Sequence, residues 1–168
     1  FHTYPAEIRG GQSIFQVRID SSPLLSQGDK ADLLVAFDGE AYEDNIRDLV
    51  DGAIILHDSF EIRQKRDGVI YYMVPMGDIA SREIHSQIVK NVVALGVLAQ
   101  ILNISYQALE GVLREKLGRK GTDVIEKNLL ALKVGYLYAE REIKKVDPYT
   151  LLPREGARKI FLSGNEAI

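Results

Sequence analysis

A short polar loop near the start of the chain carries the residues best suited to bind an anion. Arg9, Gly10, Gly11 and Ser13 lie almost next to one another. An arginine guanidinium can hold a phosphate through two parallel hydrogen bonds, and glycines let backbone amides approach the same group. The spacing therefore predicts a loop that binds a nucleotide phosphate. An ordinary turn before the next strand explains the same residues. The motif occurs once without basic neighbours, so it does not indicate RNA binding.

Polar turns that follow three apolar stretches form a second set of candidates. They are residues 38–39 (Asp-Gly), 57–59 (His-Asp-Ser) and 75–77 (Pro-Met-Gly). Ligands of open parallel sheets bind beyond the carboxyl ends of the strands, so these turns are expected to meet at one edge. Turns with simple helix caps account for the same residues, and spacing alone favours that interpretation.

The composition excludes several kinds of site. The 168 residues include no cysteine, so the chain itself offers no disulfide, thiolate metal site or iron–sulfur ligand. His2, His57 and His85 lack the spacing of metal ligands. Without a nucleophile–base pair or a Walker loop, we predict no catalytic residue and no metal site. A net charge of -3 argues against a nucleic-acid partner, and no apolar run approaches the roughly 18–20 residues that cross a bilayer. We expect a cytoplasmic protein.

The candidate residues must be positioned by a sheet that precedes a helical half. Apolar and β-branched runs predict strands, a short amphipathic stretch between two of them predicts a helix, and Gly52 is expected to end that helix. The alternation favours an α/β fold with a Rossmann-like, mostly parallel sheet. The strands are expected over 14–19, 32–37, 53–56 and 69–74, with the helix over 40–50.

Helical periodicity takes over after Pro75. An apolar stripe with spacings of three and four residues runs from Ile88 to Leu102. Ser105 is a candidate N-cap for a helix over roughly 106–117 that stops at Gly118. Thr122 is a candidate N-cap for a long helix that reaches about residue 143. The sequence therefore predicts a helical C-terminal half.

Both ends of the sequence suggest a piece of a longer polypeptide. Residues 146–158 have the proline, glycine and charge content of a linker. Residues 159–168 resemble a strand edge that leads into a new helix, which would open a second domain.

Residues 4–13 followed by 15–19 resemble a known family, the 2-oxoacid:acceptor oxidoreductases. The gamma unit of these enzymes carries a Tyr-x-Pro-Glu-Ile-Arg-Gly-Gly loop that leads into a strand ending Val-Arg-Ile. The resemblance covers about residues 1–145, which are identified as a gamma-type domain. Further matches lie at residues 30–37, 74–80, 91–96, 113–116 and 128–135.

The tail extends the resemblance beyond the gamma unit. Residues 161–168 are similar to the first residues of the family's alpha unit, which implies a fused gamma–alpha subunit. The family opens its gamma unit with a Gly-rich strand–loop–helix that would lie before residue 4. We therefore expect the sheet of this chain to lack its first strand and phosphate-cradling turn.

The resemblance implies a reaction and a distribution of the cofactors among the subunits. The family oxidatively decarboxylates a 2-oxoacid with coenzyme A, giving acyl-CoA, carbon dioxide and reduced ferredoxin. Thiamine diphosphate, magnesium and iron–sulfur clusters are expected in a beta subunit or other domains, and the assembly is expected to be a dimer of heterodimers. By this analogy Arg9, Gly10, Gly11 and Ser13 lie near the coenzyme A phosphates.

Two rival functions remain for the same residues. In the first, the chain is a non-catalytic interaction domain in which Arg9 pairs with a partner's carboxylate and no cofactor is contacted. In the second, it is a stand-alone nucleotide-binding Rossmann domain of a dehydrogenase. The sequence does not say which 2-oxoacid the enzyme would use.

Overall fold

Three parallel strands form the central sheet of the protein. The computed structural model describes residues 2–3, 13–22, 24 and 28–152. In this part β3 (Ala31–Ala36), β4 (Leu49–His57) and β5 (Ile70–Met73) lie in the order β3-β4-β5. Both neighbouring pairs are parallel. The predicted α/β class, the parallel arrangement and the three apolar strands are confirmed.

The predicted helix over 40–50 is wrong at its C-terminal end. α1 covers Gly39–Asn45, a single 3-10 turn covers Ile46–Asp48, and β4 already begins at Leu49. Gly52 lies inside β4 with a φ of +84°, next to an irregularity in the pairing with β3. Arg66 fixes this early start, because its guanidinium donates to the carbonyl oxygens of Ile46 (2.9 Å) and Leu49 (2.8 Å).

The predicted strand over 14–19 is much shorter than expected. Only β2 (Ile14–Phe15) is extended and paired, and it runs antiparallel to β1 (His2–Thr3). Residues 16–19 lie outside this strand. This small pair is separate from the parallel sheet in the described part of the chain.

The C-terminal half is helical as predicted. The helices are α2 (Met76–Arg82), α3 (Lys90–Leu102), α4 (Tyr106–Leu117) and α5 (Thr122–Glu142), with a 3-10 turn over Gln87–Val89 before α3. The Ser105 hydroxyl accepts a hydrogen bond from the Ala108 amide (3.2 Å), which confirms the predicted cap of α4. Gly121, and not Thr122, is the N-cap residue of α5. None of the described helices is both long and apolar enough to span a membrane.

Helix α3 is more deeply buried than its predicted stripe indicated. Ile88 was expected on the apolar face, but it lies in the 3-10 turn before α3 and is 89% exposed. Buried residues cover most of the circumference of α3, which packs against α2, α4 and α5. The side that is not fully buried carries Asn91, Leu95, Leu98 and Leu102. The buried residues of α3 are Val92, Val93, Ala94, Gly96, Val97, Ala99 and Ile101.

The two faces of the sheet bury two different cores. Ile54 and Leu56 of β4 point into the larger core with α2, α3 and α5, whereas Ala53 and Ile55 point into a smaller one beneath α1. This alternation follows the two-residue period of a strand. Strand β4 is therefore covered on both faces, as expected of a central parallel strand.

Two glycines set the distance between α3 and α5. A Cβ atom at Gly96 would overlap the carbonyl oxygen of Leu132, and one at Gly135 would overlap the carbonyl oxygen of Val93. Each helix therefore packs directly on the backbone of the other, closer than side chains normally allow. The positions of both ends of α3 depend on this contact.

Replacing either glycine by alanine should destabilise the protein strongly. Gly96→Ala or Gly135→Ala is expected to lower the free energy of unfolding by about 3 kcal/mol or more, because the added methyl forces the helices apart. Gly111→Ala on α4 is the matched control. A Cβ there meets nothing within 4 Å, so alanine should stabilise by up to about 1 kcal/mol. Urea unfolding measures all three variants, and a Gly135→Ala midpoint equal to wild type would contradict the packing.

Candidate functional site

The turns after the three parallel strands meet at one edge of the sheet, as the sequence predicted. They enclose an open cleft of about 330 Å³. The first turn of α2 and the 3-10 turn before α3 complete its walls. The lining residues are Phe37, Asp38, Asp58, Ser59, Phe60, Gly77, Asp78, Ser81 and Gln87.

Asp58 is the polar centre of this edge. Its carboxylate accepts hydrogen bonds from the amides of Ser59 (2.8 Å) and Gly77 (3.1 and 3.2 Å to its two oxygens). Lys90 Nζ lies 3.2 Å from Asp58 Oδ2. Burial acts to raise the pKa of Asp58, but the two amides and the Lys90 ammonium outweigh it and lower the pKa overall. Asp58 is therefore a charged group that is held by fixed donors.

Lys90 connects the N-terminus of α3 to the residues that follow β3 and β4. It is the first residue of α3, and its Nζ also donates to the carbonyl oxygen of Phe37 (3.1 Å) at the end of β3. The same nitrogen lies 5.2 Å from the centre of the Phe37 ring. A cation at a helix N-terminus opposes the helix dipole, so Asp58 must compensate for it. The pair thus fixes α3 against the carboxyl ends of β3 and β4.

The cleft is unsuited to hold a phosphate at its floor. The Gly77 amide, which could otherwise donate to an anionic ligand, already donates to Asp58. Asp38 and Asp78 add further negative charge to the lining, and Asp78 forms an exposed ion pair with Arg82 (3.4 Å). The polar side chains of the lining are also engaged: Ser59 Oγ donates to Asp58, Ser81 Oγ donates to the carbonyl oxygen of Gly77, and Gln87 Nε2 donates to Ser81 Oγ. The floor of the cleft therefore offers a phosphate few unengaged donors.

The helix-cap interpretation is confirmed for the first predicted turn. Asp38 is the N-cap of α1, and its Oδ1 accepts a hydrogen bond from the Ala41 amide (2.8 Å).

His57, in the second predicted turn, has a structural role. It is 7% exposed, its Nδ1 lies 2.8 Å from the carbonyl oxygen of Asp58, and its ring packs edge-on against Phe60 and Tyr71. Burial lowers the pKa of His57, so the imidazole is neutral at physiological pH.

The predicted phosphate loop is mostly outside the described residues. Arg9, Gly10 and Gly11 belong to that undescribed part, whereas Ser13 is described and exposed just before β2. Of the two candidates, only the cleft has a described geometry. Within the described ranges, no cluster of histidine, aspartate or glutamate side chains could hold a metal ion.

Sequence reasoning missed Lys90 as a residue of this edge. It is 53 positions from Phe37, and no local motif links the two. One signal was available, since lysine is an unfavourable residue for the first turn of a helix and therefore suggests a compensating acid nearby. The spacing of the acidic residues in the sequence does not identify Asp58 as the one that compensates for Lys90.

A parallel sheet with a ligand-type cleft at its carboxyl edge defines an α/β domain of the Rossmann-like class. Residues 1–138 match the family of pyruvate ferredoxin/flavodoxin oxidoreductases. The chain belongs to that family, which confirms the resemblance found in the sequence.

Curated relatives are subunits of 2-oxoglutarate enzymes. The 2-oxoglutarate oxidoreductase subunit KorA of Mycobacterium tuberculosis is 30% identical over 98% of this chain, and the chain spans 30% of that subunit. The 2-oxoglutarate synthase subunit KorC of Methanocaldococcus jannaschii is 35% identical over 82% of the chain and 75% of the subunit. The chain therefore corresponds to under a third of one relative and most of the other.

Solved structures show the same fold. The 2-oxoglutarate:ferredoxin oxidoreductase of Magnetococcus marinus, with 2-oxoglutarate, coenzyme A and succinyl-CoA bound, is 39% identical with a TM-score of 0.83. That match covers 92% of this chain and 27% of the Magnetococcus chain. The gamma subunit of a keto/oxoacid ferredoxin oxidoreductase from Geobacter sulfurreducens is 27% identical with a TM-score of 0.57, over 65% of this chain and 64% of that subunit. The similarity thus extends to a separate gamma subunit.

Replacing Lys90 should show how much its ion pair with Asp58 contributes to the stability of the fold. Lys90→Met is expected to lower the free energy of unfolding by about 1–2 kcal/mol at pH 7, because Asp58 stays charged while losing its cation. Lys127→Met removes an exposed lysine paired with Asp123 on α5 and should change stability by less than about 0.5 kcal/mol. Urea unfolding of both variants provides the comparison.

The Lys90 effect should also depend on pH in one direction. The folded state lowers the pKa of Asp58, so the pair stabilises the protein above the unfolded pKa and this stabilisation is lost as pH falls. The difference between wild type and Lys90→Met should therefore shrink below about pH 4. A difference that stays constant down to pH 3 would show that Asp58 is not the group that Lys90 stabilises.

Proposed function

We propose that this chain is the gamma-type domain of a thiamine-diphosphate and iron–sulfur dependent 2-oxoacid:ferredoxin oxidoreductase, in which it binds coenzyme A and contributes to subunit assembly. The observation that carries the proposal is the similarity to the Magnetococcus enzyme, over 92% of the chain. A domain this similar in an enzyme that binds coenzyme A and succinyl-CoA supports a coenzyme A role here.

2-Oxoglutarate is the substrate that we propose. The two curated relatives and the Magnetococcus enzyme are all named for 2-oxoglutarate. The reaction would break the bond between the 2-oxo carbon and its neighbouring carboxyl group, which leaves as carbon dioxide. It would join the remaining succinyl group to the coenzyme A sulfur with release of the thiol proton, and pass two electrons to ferredoxin. Thiamine diphosphate would stabilise the carbanion left by decarboxylation.

The chemistry of electron transfer must be supplied by other parts of the enzyme. This chain has no cysteine to ligate an iron–sulfur cluster. We therefore assign the clusters, thiamine diphosphate and magnesium to the beta subunit, and ferredoxin to a surface beyond this domain. An assembly of two heterodimers accommodates these parts.

Within this chain we assign the coenzyme A phosphates to the loop that contains Arg9, Gly10, Gly11 and Ser13. The cleft does not compete for the phosphates through the Gly77 amide or the Lys90 ammonium, since both are already bound to Asp58. The loop offers a guanidinium and glycine amides, which favour a phosphate.

Removing Arg9 tests the coenzyme A role. In the purified complex, Arg9→Ala should weaken coenzyme A binding about tenfold, because a charge-assisted hydrogen bond to a phosphate is lost. Arg119→Ala, which removes an exposed arginine at the end of α4, is the matched control and should leave binding unchanged. Isothermal titration with coenzyme A gives both affinities. Equal affinity of wild type and Arg9→Ala would favour the rival in which Arg9 pairs with a partner's carboxylate.

Substrate choice tests the proposed reaction. The complex should reduce ferredoxin with 2-oxoglutarate and coenzyme A at least about tenfold faster than with pyruvate, since the relatives are 2-oxoglutarate enzymes. Assaying both substrates at equal concentration, with coenzyme A omitted as the control, makes the comparison. Reduction of a nicotinamide cofactor by the chain on its own would instead support a stand-alone dehydrogenase domain.

A further inference from the structure

We infer that residues 143–152 form a clasp that fixes the polypeptide leaving α5 to strand β5 and to the C-terminal end of α3. This segment includes the first half of the stretch whose composition predicted a linker. The inference concerns the architecture of the domain and goes beyond its proposed coenzyme A role. It is carried by the contacts of Asp147, Tyr72 and Leu151.

Asp147 is the centre of the clasp. It is 6% exposed although it follows a helix by only a few residues. Its carboxylate accepts hydrogen bonds from Tyr72 Oη (2.8 Å), from the Tyr149 amide (2.9 Å) and from the Lys145 ammonium. A buried carboxylate is stable only with such partners, so this segment has little freedom to leave the domain.

Tyr72 anchors the clasp to the sheet. It belongs to β5 and lies 75 positions from Asp147 in the sequence. Its hydroxyl donates to the carboxylate and also accepts hydrogen bonds from the amides of Val146 (2.9 Å) and Asp147 (3.3 Å). One phenol thus binds both the side chain and the backbone of the departing segment.

Further contacts extend the clasp to Leu151. Lys145 Nζ donates to the carbonyl oxygen of Tyr149 (2.7 Å), and the Tyr149 ring packs against the main core. The Leu151 amide donates to the carbonyl oxygen of Leu102 (2.8 Å), the last residue of α3. Pro148 favours an extended Asp147, which suits a segment that runs along the surface.

The Leu151 end of the clasp lies at the end of α3 opposite the cleft. α3 begins with Lys90 beside the cleft and ends at Leu102 beside the clasp, and its 13 residues are roughly 18 Å long. Burial, and after it the charge of Asp32 near the start of β3, raises the pKa of Tyr149. The clasp therefore holds Leu151 at the end of α3 that is far from Lys90.

Trypsin sensitivity and hydrogen exchange of the full protein in its complex test the clasp. Tyr72→Phe removes the phenol oxygen but keeps the ring, and Asp147→Asn keeps the size of the buried side chain while removing its charge. In both variants, cleavage after Lys144 and Lys145 and amide exchange over 143–152 should rise about tenfold. Asp123→Asn, in an exposed pair on α5, is the matched control and should change neither.

The α5 peptides provide the internal reference for this experiment. Faster exchange that is confined to 143–152, with residues 122–142 as protected as in wild type, supports the clasp. Unchanged cleavage and exchange in both variants would overturn it, and so would an equal rise throughout α5, which would mean that Asp147 supports the whole core. The readout needs no coenzyme A, so a failure of the proposed function would leave this result unaffected.

Discussion

The close contact between α3 and α5 is the constraint on which the rest of the domain depends. Gly96 and Gly135 bring each helix onto the backbone of the other, where a methyl group would not fit. This contact fixes α3 along its length. One end of α3 then brings Lys90 to the strand ends, and the other presents the Leu102 carbonyl oxygen to the departing chain. The helix pair thus connects the cleft at one end of α3 with the Leu151 contact at the other.

The carboxyl edge shows how a common fold can be adapted. Sheets of this kind often bind phosphates beyond their strand ends, through backbone amides at a helix start. Here Asp58 accepts the Gly77 amide and Lys90 neutralises Asp58. The domain itself supplies the anion that a nucleotide would supply elsewhere. The Gly77 amide is therefore not free to bind a phosphate at the floor of the cleft.

The sequence predicted what depends on local pattern and missed what depends on distant contacts. The apolar runs of β3, β4 and β5, the Ser105 cap and the length of α5 were all readable from neighbouring residues. The early start of β4 was not, because it depends on Arg66 reaching back to Leu49. The Lys90–Asp58 pair and the Tyr72–Asp147 bond join residues far apart in sequence. The family was predictable because several motifs matched in order, although each alone was weak.

The most direct measurement of the central claim is an electron cryomicroscopy structure of the complete complex with coenzyme A. We expect coenzyme A phosphates within roughly 3 Å of the Arg9 guanidinium and the amides of Gly10 and Gly11. We also expect no phosphate in the cleft beside Asp58. Coenzyme A bound wholly by other chains, or a phosphate seated against the Gly77 amide, would contradict these expectations.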